Sequence, residues 1–167
     1  MRRFLKGEIM AKVYLVAGKI CAGKTTFAHK ICMEKHAALL STDEITLAIF
    51  GQHIGEKHDE VVEKTQEYLF QKSLELIACG ISVCLDWGFW QRDERDCARE
   101  FYKCRGIETE FYYVDIPEDE WKKRIQKRNG EIGRNETQAY FVDENLRVKF
   151  GAMFENPDAD EDLIRVQ

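Results

Sequence analysis

Two prolines in 167 residues, Pro117 and Pro157, are too few for a proline-rich linker or tail. No apolar run reaches the length needed to span a bilayer, so no transmembrane helix is expected. The six cysteines (Cys21, Cys32, Cys79, Cys84, Cys97 and Cys104) contain no C-x-x-C pair. That argues against a zinc ribbon or a disulfide framework and fits reduced thiols in a cytoplasmic protein. Positive charge is not in excess: 25 Lys and Arg against 30 Asp and Glu leave a formal net charge of -5, unlike a general nucleic-acid coat. Repeats and low-complexity tracts are also missing, so one domain is expected. The basic start, Met1 to Lys6, is not followed by the apolar stretch of a secretory signal. Residues 1–11 read as an N-terminal arm and residues 12–167 as the domain.

What is present is a 44% share of hydrophobic residues, enough for an ordinary core, and one motif that carries its own mechanism. Gly18-Lys19-Ile20-Cys21-Ala22-Gly23-Lys24-Thr25 fits the phosphate-binding P-loop pattern G-x-x-x-x-G-K-[ST] without a mismatch. The glycines let backbone N–H groups wrap phosphates, the lysine reaches the β- and γ-phosphates, and the next hydroxyl holds Mg²⁺. The flanks fit as well. Val13 to Ala17 reads as a buried strand, and the residues from Thr26 open a helix whose positive end would face the phosphates. ATP and Mg²⁺ are therefore the expected cofactors, with Gly18 to Thr26 around the nucleotide.

Short, apolar segments free of charge inside, at Val13–Ala17, Ala38–Ser41, Ser82–Asp86 and Glu110–Val114, read as strands covered on both faces, and Leu163–Val166 reads as a weaker last one. Helical patterns alternate with them: Asp59 to Cys79, Asp93 to Lys103, Pro117 to Asn129 with a stop at Gly130, and Asp143 to Phe150. This alternation predicts an α/β sandwich on a mainly parallel sheet. In such sheets ligands sit at the carboxyl ends of the strands.

Chemistry-bearing residues gather at those ends. Asp43 follows the second strand, where a carboxylate can orient an attacking hydroxyl and accept its proton; Ser41, Thr42 and Asp43 are equally good N-caps for a helix starting at Glu44. Asp86 ends the third strand, suited to meet Mg²⁺ together with Thr25. Trp87-Gly88-Phe89-Trp90 follows at once, so Trp87 and Trp90 either line an acceptor pocket or plug the core beneath the loop. Arg92, Arg95 and Arg99 share a helical stripe; a salt-bridged surface explains Arg99, and Arg92 and Arg95 could hold an anionic acceptor. His53 lies in a polar, glycine-containing stretch that suits acceptor binding. In the basic run Trp121 to Asn129, Arg124 and Arg128 are four residues apart and can both point at a transferring phosphoryl group. A lid is expected around residues 121–140, with Arg134 a third arginine in its flap. The acidic cluster Glu155, Asp158, Asp160, Glu161 and Asp162 reads as a solvated loop.

The order of these motifs resembles the small bacterial P-loop kinases, a group that includes zeta toxins, chloramphenicol phosphotransferases and the kinase domain of polynucleotide kinases. It is most similar to short ATP-binding proteins described as AAA-domain kinases, which share the Asp86-Trp87-Gly88-Phe89-Trp90 stretch and the Phe154-Glu155-x-Pro157 segment. The resemblance covers most of the chain from Lys12 onward. It implies a three-layer α/β/α P-loop NTPase fold like that of adenylate kinase, with a five-stranded parallel sheet. It implies Lys24 on the phosphates, Thr25 on Mg²⁺, Asp43 as the residue that deprotonates the acceptor, and Arg124 and Arg128 as lid arginines. The expected activity is phosphate transfer from ATP to a hydroxyl of a small molecule, by a monomer or homodimer that binds no membrane. The alternatives are a nucleic-acid 5′ end as acceptor, which the net charge disfavours, and a nucleotide-binding switch with slow hydrolysis and no acceptor.

Overall fold

The computed structural model describes residues 10–51, 55–134 and 141–167. Five strands, β1 (Val13–Ala17), β2 (Ala38–Ser41), β3 (Val83–Asp86), β4 (Thr109–Val114) and β5 (Ile164–Val166), form one sheet in the order β2-β3-β1-β4-β5. Every pairing is parallel. Six helices surround it: α1 (Lys24–Lys35), α2 (Thr42–Phe50), α3 (His58–Ala78), α4 (Arg92–Lys103), α5 (Glu118–Gly133) and α6 (Glu144–Met153). This is the predicted three-layer α/β/α arrangement.

The strand period of two divides the core between the faces. Val13, Leu15 and Ala17 of β1 and Val83 and Leu85 of β3 pack with Leu69 of α3 and Ala98 and Tyr102 of α4. Tyr14, Val16 and Cys84 point to the other face, against Ala28 and Ile31 of α1. All five β1 residues are buried, and burying Val13, Leu15 and Val16 contributes about 1.5–3 kcal/mol each. The central strand that delivers the P-loop is therefore firmly seated. A third cluster, Trp121, Ile125 and Val142, packs against Ile20 and Cys21, so α5 leans on the P-loop itself.

Two expectations are corrected. Gly130 does not stop α5, which runs on to Gly133. One helical glycine costs only about 1 kcal/mol. The Asn129 side chain brackets Val142, Nδ2 to its carbonyl at 2.6 Å and Oδ1 from its N–H at 3.1 Å, and so ties α5 to the segment before α6. The acidic C-terminal segment is a solvated loop only in part: Glu155, Asp158, Asp160 and Asp162 are exposed, and Glu161 is not. Glu161 has a side chain only 1% exposed and takes two hydrogen bonds from Arg95, at 2.7 and 2.8 Å, while Asp158 and Asp160 engage Arg92. The arginine stripe of α4 is what recruits it.

Those donors hold the Glu161 carboxyl down at about 2, with the Arg95 hydrogen bonds the largest cause. A depressed carboxylate contributes stability that is complete above its unfolded value and is lost as pH falls toward the folded one. Between about pH 4.5 and 2 this group alone should withdraw roughly 2–3 kcal/mol. Thermal melts followed by circular dichroism should show a steep drop in midpoint over that interval, flattened in Glu161→Gln. An equally steep drop in the variant would remove Glu161 as the cause.

Candidate active site

The chain leaves β1 at Ala17 and turns through Gly18, whose φ is +151°. A Cβ there would lie 2.8 Å from the Val114 carbonyl oxygen, closer than any side chain tolerates. Cys21 and Gly23 also adopt positive φ, at 60° and 102°, curling the segment so that the Ala22 N–H donates to the Lys19 carbonyl at 3.1 Å. Helix α1 then starts at Lys24 with no side-chain cap and no acidic residue in its first turn. Its first N–H groups and its positive dipole end are thus left for an anion.

Lys24 is half-buried and donates from Nζ to the Lys19 carbonyl at 2.9 Å. Burial pulls its ammonium pKa down, against the pull of Asp86 and then Asp43. Asp86 is buried at the end of β3, in register with Val16 of β1 and Ser41 of β2. Burial pushes its carboxyl up, while the Lys24 charge and a hydrogen bond from the Thr25 hydroxyl hold it down. Asp43 lies exposed in the first turn of α2. Ser41 is the N-cap, its Oγ accepting from the Glu44 N–H at 3.3 Å. The capping job is therefore taken, and the Asp43 charge acts on Lys24 and Asp86.

Helix α5 closes the other side. The Trp121 indole donates to the Ile20 carbonyl at 2.5 Å, and Arg124 donates to the Ala22 carbonyl at 2.6 Å and to Glu120 at 2.9 Å. Arg128 reaches the Cys21 sulfur at 3.2 Å. Lys19 stands 5.0 Å from the centre of the Trp121 ring. In sequence Trp121 is only the first residue of the basic run; its hold on the P-loop is visible in no local pattern.

Other residues proposed from sequence fall elsewhere. Trp87 is not in the site: it turns inward, 5.3 Å from the Phe70 ring and 5.1 Å from Phe89, because the apolar flank between α3 and α4 takes it. Trp90 folds back instead, packing at 5.0 Å on Phe150 of α6, with its Nε1 buried and without a partner among the described residues. Its ring lies so close to Gly88 that a Cβ there would be 2.1 Å from Nε1. Arg92 does not face an acceptor, since Asp158 at 2.9 Å and Asp160 at 2.8 Å claim its guanidinium. Arg95 is buried behind the loop. Thr26 is exposed at the start of α1. His53 and most of the flap after Arg134 lie outside the described residues. Sequence reading also missed Gly88, whose carbonyl accepts from the Gly18 N–H at 3.3 Å and joins the two loops.

Among the described residues, no helix is long and apolar enough to cross a membrane, and no group of three or more His, Cys, Asp or Glu side chains could hold a metal ion by itself. Thr25 and Asp86 form a smaller set, suited to Mg²⁺ that keeps waters and phosphate oxygens as its other ligands. The adjoining loop, shaped around Gly18 and Gly23 and lined by the half-buried ammonium of Lys24, fits a polyphosphate.

A family profile described as AAA domain matches residues 13–150, from β1 into α6 and across every residue of this edge. The chain belongs to this AAA domain family. No curated protein matches it. Among solved structures, this AAA domain protein is similar to an unliganded sugar kinase from Janibacter sp. HTCC2649, with TM-score 0.64, 22% identity, and 93% of this chain and 84% of that one covered. It is similar to an APS kinase from Mycobacterium tuberculosis in complex with AMPPNP and APS, with TM-score 0.62, 17% identity, and coverage of 94% and 88%. A protein from Chloroflexus aurantiacus superposes at TM-score 0.72 with 16% identity, covering 94% of this chain and 85% of that one. At these identities the likeness carries the fold: the AAA domain here is built as in P-loop kinases.

Proposed function

We propose that the protein is an ATP-dependent phosphotransferase that moves the γ-phosphate to a hydroxyl of a small molecule such as a nucleoside, a sugar or an antibiotic. The observation that carries this reading is Asp43: an exposed carboxylate, relieved of helix capping, whose charge acts on the P-loop lysine and on Asp86. A nucleotide-binding switch needs Lys24, Thr25 and Asp86 but has no use for a further carboxylate at that place. The shared fold with a sugar kinase and with an APS kinase seen with AMPPNP supports the reading.

In this reading the backbone of Gly18 to Thr26 binds the ATP phosphates and Lys24 contacts the β- and γ-oxygens. Thr25 and Asp86 would hold Mg²⁺, which when bound neutralises charge on those oxygens. Asp43 aligns the acceptor hydroxyl and takes its proton. The acceptor oxygen bonds to the γ-phosphorus as the bond from phosphorus to the bridging oxygen breaks, and ADP leaves with that electron pair. Arg128 balances charge on the transferring group, while Arg124, bonded to the Ala22 carbonyl and to Glu120, frames the P-loop that binds ATP.

ADP formation measured chromatographically in Mg²⁺, with and without pooled nucleosides, sugars, antibiotics and 5′-hydroxyl oligonucleotides, tests this. At least one small-molecule pool should stimulate turnover by about tenfold or more. Slow turnover indifferent to every pool would leave a switch, and stimulation by oligonucleotides alone would move the acceptor to a nucleic-acid 5′ end.

A further inference from the structure

We propose that Arg95 is a positioning residue for the nucleotide site, acting through the Trp87–Trp90 loop, and that the C-terminal segment 155–161 is the strap that holds it in place. The inference rests on the reading that ATP sits on the P-loop.

The P-loop and the loop after β3 are joined where the Gly18 N–H meets the Gly88 carbonyl, 3.3 Å apart. The position of Gly88 therefore bears on the first residue of the phosphate cradle. The loop that carries Gly88 does not rest in a preferred conformation. Phe89 has φ +45°, the left-handed region that a phenylalanine avoids. Trp90 crowds Gly88 and leaves its own indole N–H without a partner among the described residues. Something outside the loop must hold it.

Arg95 is that group. It is fully buried, and its Nη1 donates to the carbonyls of Phe89 at 3.1 Å, Trp90 at 3.2 Å and Glu155 at 3.1 Å. The opposite edge of the fork, Nε and Nη2, makes a two-point bond to Glu161 at 2.7 and 2.8 Å. Glu161 is held in turn by Arg99 at 3.3 Å and by the Asp158 N–H at 3.1 Å, and the Glu155 N–H donates to the Trp90 carbonyl at 2.8 Å. One guanidinium thus ties the loop to a strap more than 60 positions along the chain. A buried ion pair is weak as a source of stability, since packed apolar side chains would serve as well. A planar guanidinium grips the Glu161 carboxylate with one edge, Nε and Nη2, and so fixes the direction in which Nη1 meets the loop carbonyls. The apolar alternative could fill the space but could not aim the loop.

ATP binding measured by calorimetry, together with melting temperature, separates positioning from plain stability. Arg95→Lys keeps the charge and loses the fork, and should weaken ATP binding about tenfold. Glu161→Gln loosens the strap more gently and should speed hydrogen exchange at the Gly18 amide by about tenfold, whether or not Arg95→Lys folds. Tyr102→Phe is the control: it deletes a buried 2.8 Å hydrogen bond to Ser73 on the same flank, away from the loop. It should lower the melting temperature and leave ATP affinity unchanged. Wild-type ATP affinity in folded Arg95→Lys with unchanged Gly18 exchange in Glu161→Gln would overturn the inference alone, as would equal weakening in Tyr102→Phe at a matched loss of melting temperature. A wild-type protein that binds no ATP would overturn the nucleotide reading and this inference with it.

Discussion

Replacing Asp43 with asparagine should lower acceptor-dependent turnover by about 10²–10⁴-fold, the usual contribution of a positioned general base. ATP affinity should stay within about threefold of wild type or tighten slightly, because one negative charge near the phosphates is removed. The substitution is clean for a structural reason. Ser41, not Asp43, caps α2, with Oγ 3.3 Å from the Glu44 nitrogen, so the helix keeps its start. The Asp43 side chain is exposed, so asparagine meets no new burial cost. Steady-state kinetics with the best acceptor, paired with calorimetric ATP titration, gives both numbers. Turnover within a few-fold of wild type would show that the acceptor proton goes elsewhere.

The features legible in sequence are those set by near neighbours. The P-loop announces itself because its glycines, lysine and threonine answer local backbone needs: Gly18 against the Val114 carbonyl, Gly23 at positive φ before the helix. Strands covered on both faces show as short apolar runs, and that placed Asp43 and Asp86 at one sheet edge. What stayed hidden depends on partners far along the chain. Arg92 and Arg95 look from their own helix like phosphate ligands, and Glu161 like a solvated acid, until the fold brings positions more than 60 apart together. Trp87 and Trp90 read alike in sequence, yet one enters the core and the other turns back over Gly88. The choice is made by Phe70 of α3 and Phe150 of α6, which no spacing within the aromatic run reveals.

Arg128→Ala should lower kcat by about 10³-fold or more, the scale on which an arginine over a transferring phosphoryl group acts. Arg124→Ala should instead act mainly on ATP affinity. The two arginines sit one turn apart on α5 but are held differently. Arg124 is committed at both ends, Nη1 to the Ala22 carbonyl at 2.6 Å and Nε to Glu120 at 2.9 Å. It is part of the frame of the P-loop. Arg128 spends Nη1 on the Cys21 sulfur at 3.2 Å, a weak acceptor, and its buried Nε has no partner among the described residues. A buried donor left without an acceptor is costly, and a phosphate oxygen would relieve that cost. The charge of Arg128 already bears on Lys24, adding to the burial that depresses the lysine's pKa, so an anion between them would be stabilised by both. Lysine at 128 should recover little, because a point charge lacks the two-donor fork. Pre-steady-state measurement of ADP release separates the effects: a slowed chemical step with normal ATP binding in Arg128→Ala, and weakened binding with near-normal chemistry in Arg124→Ala. Equal effects of both on binding alone would place Arg128 in the frame as well, and leave Lys24 without an arginine partner in the transfer.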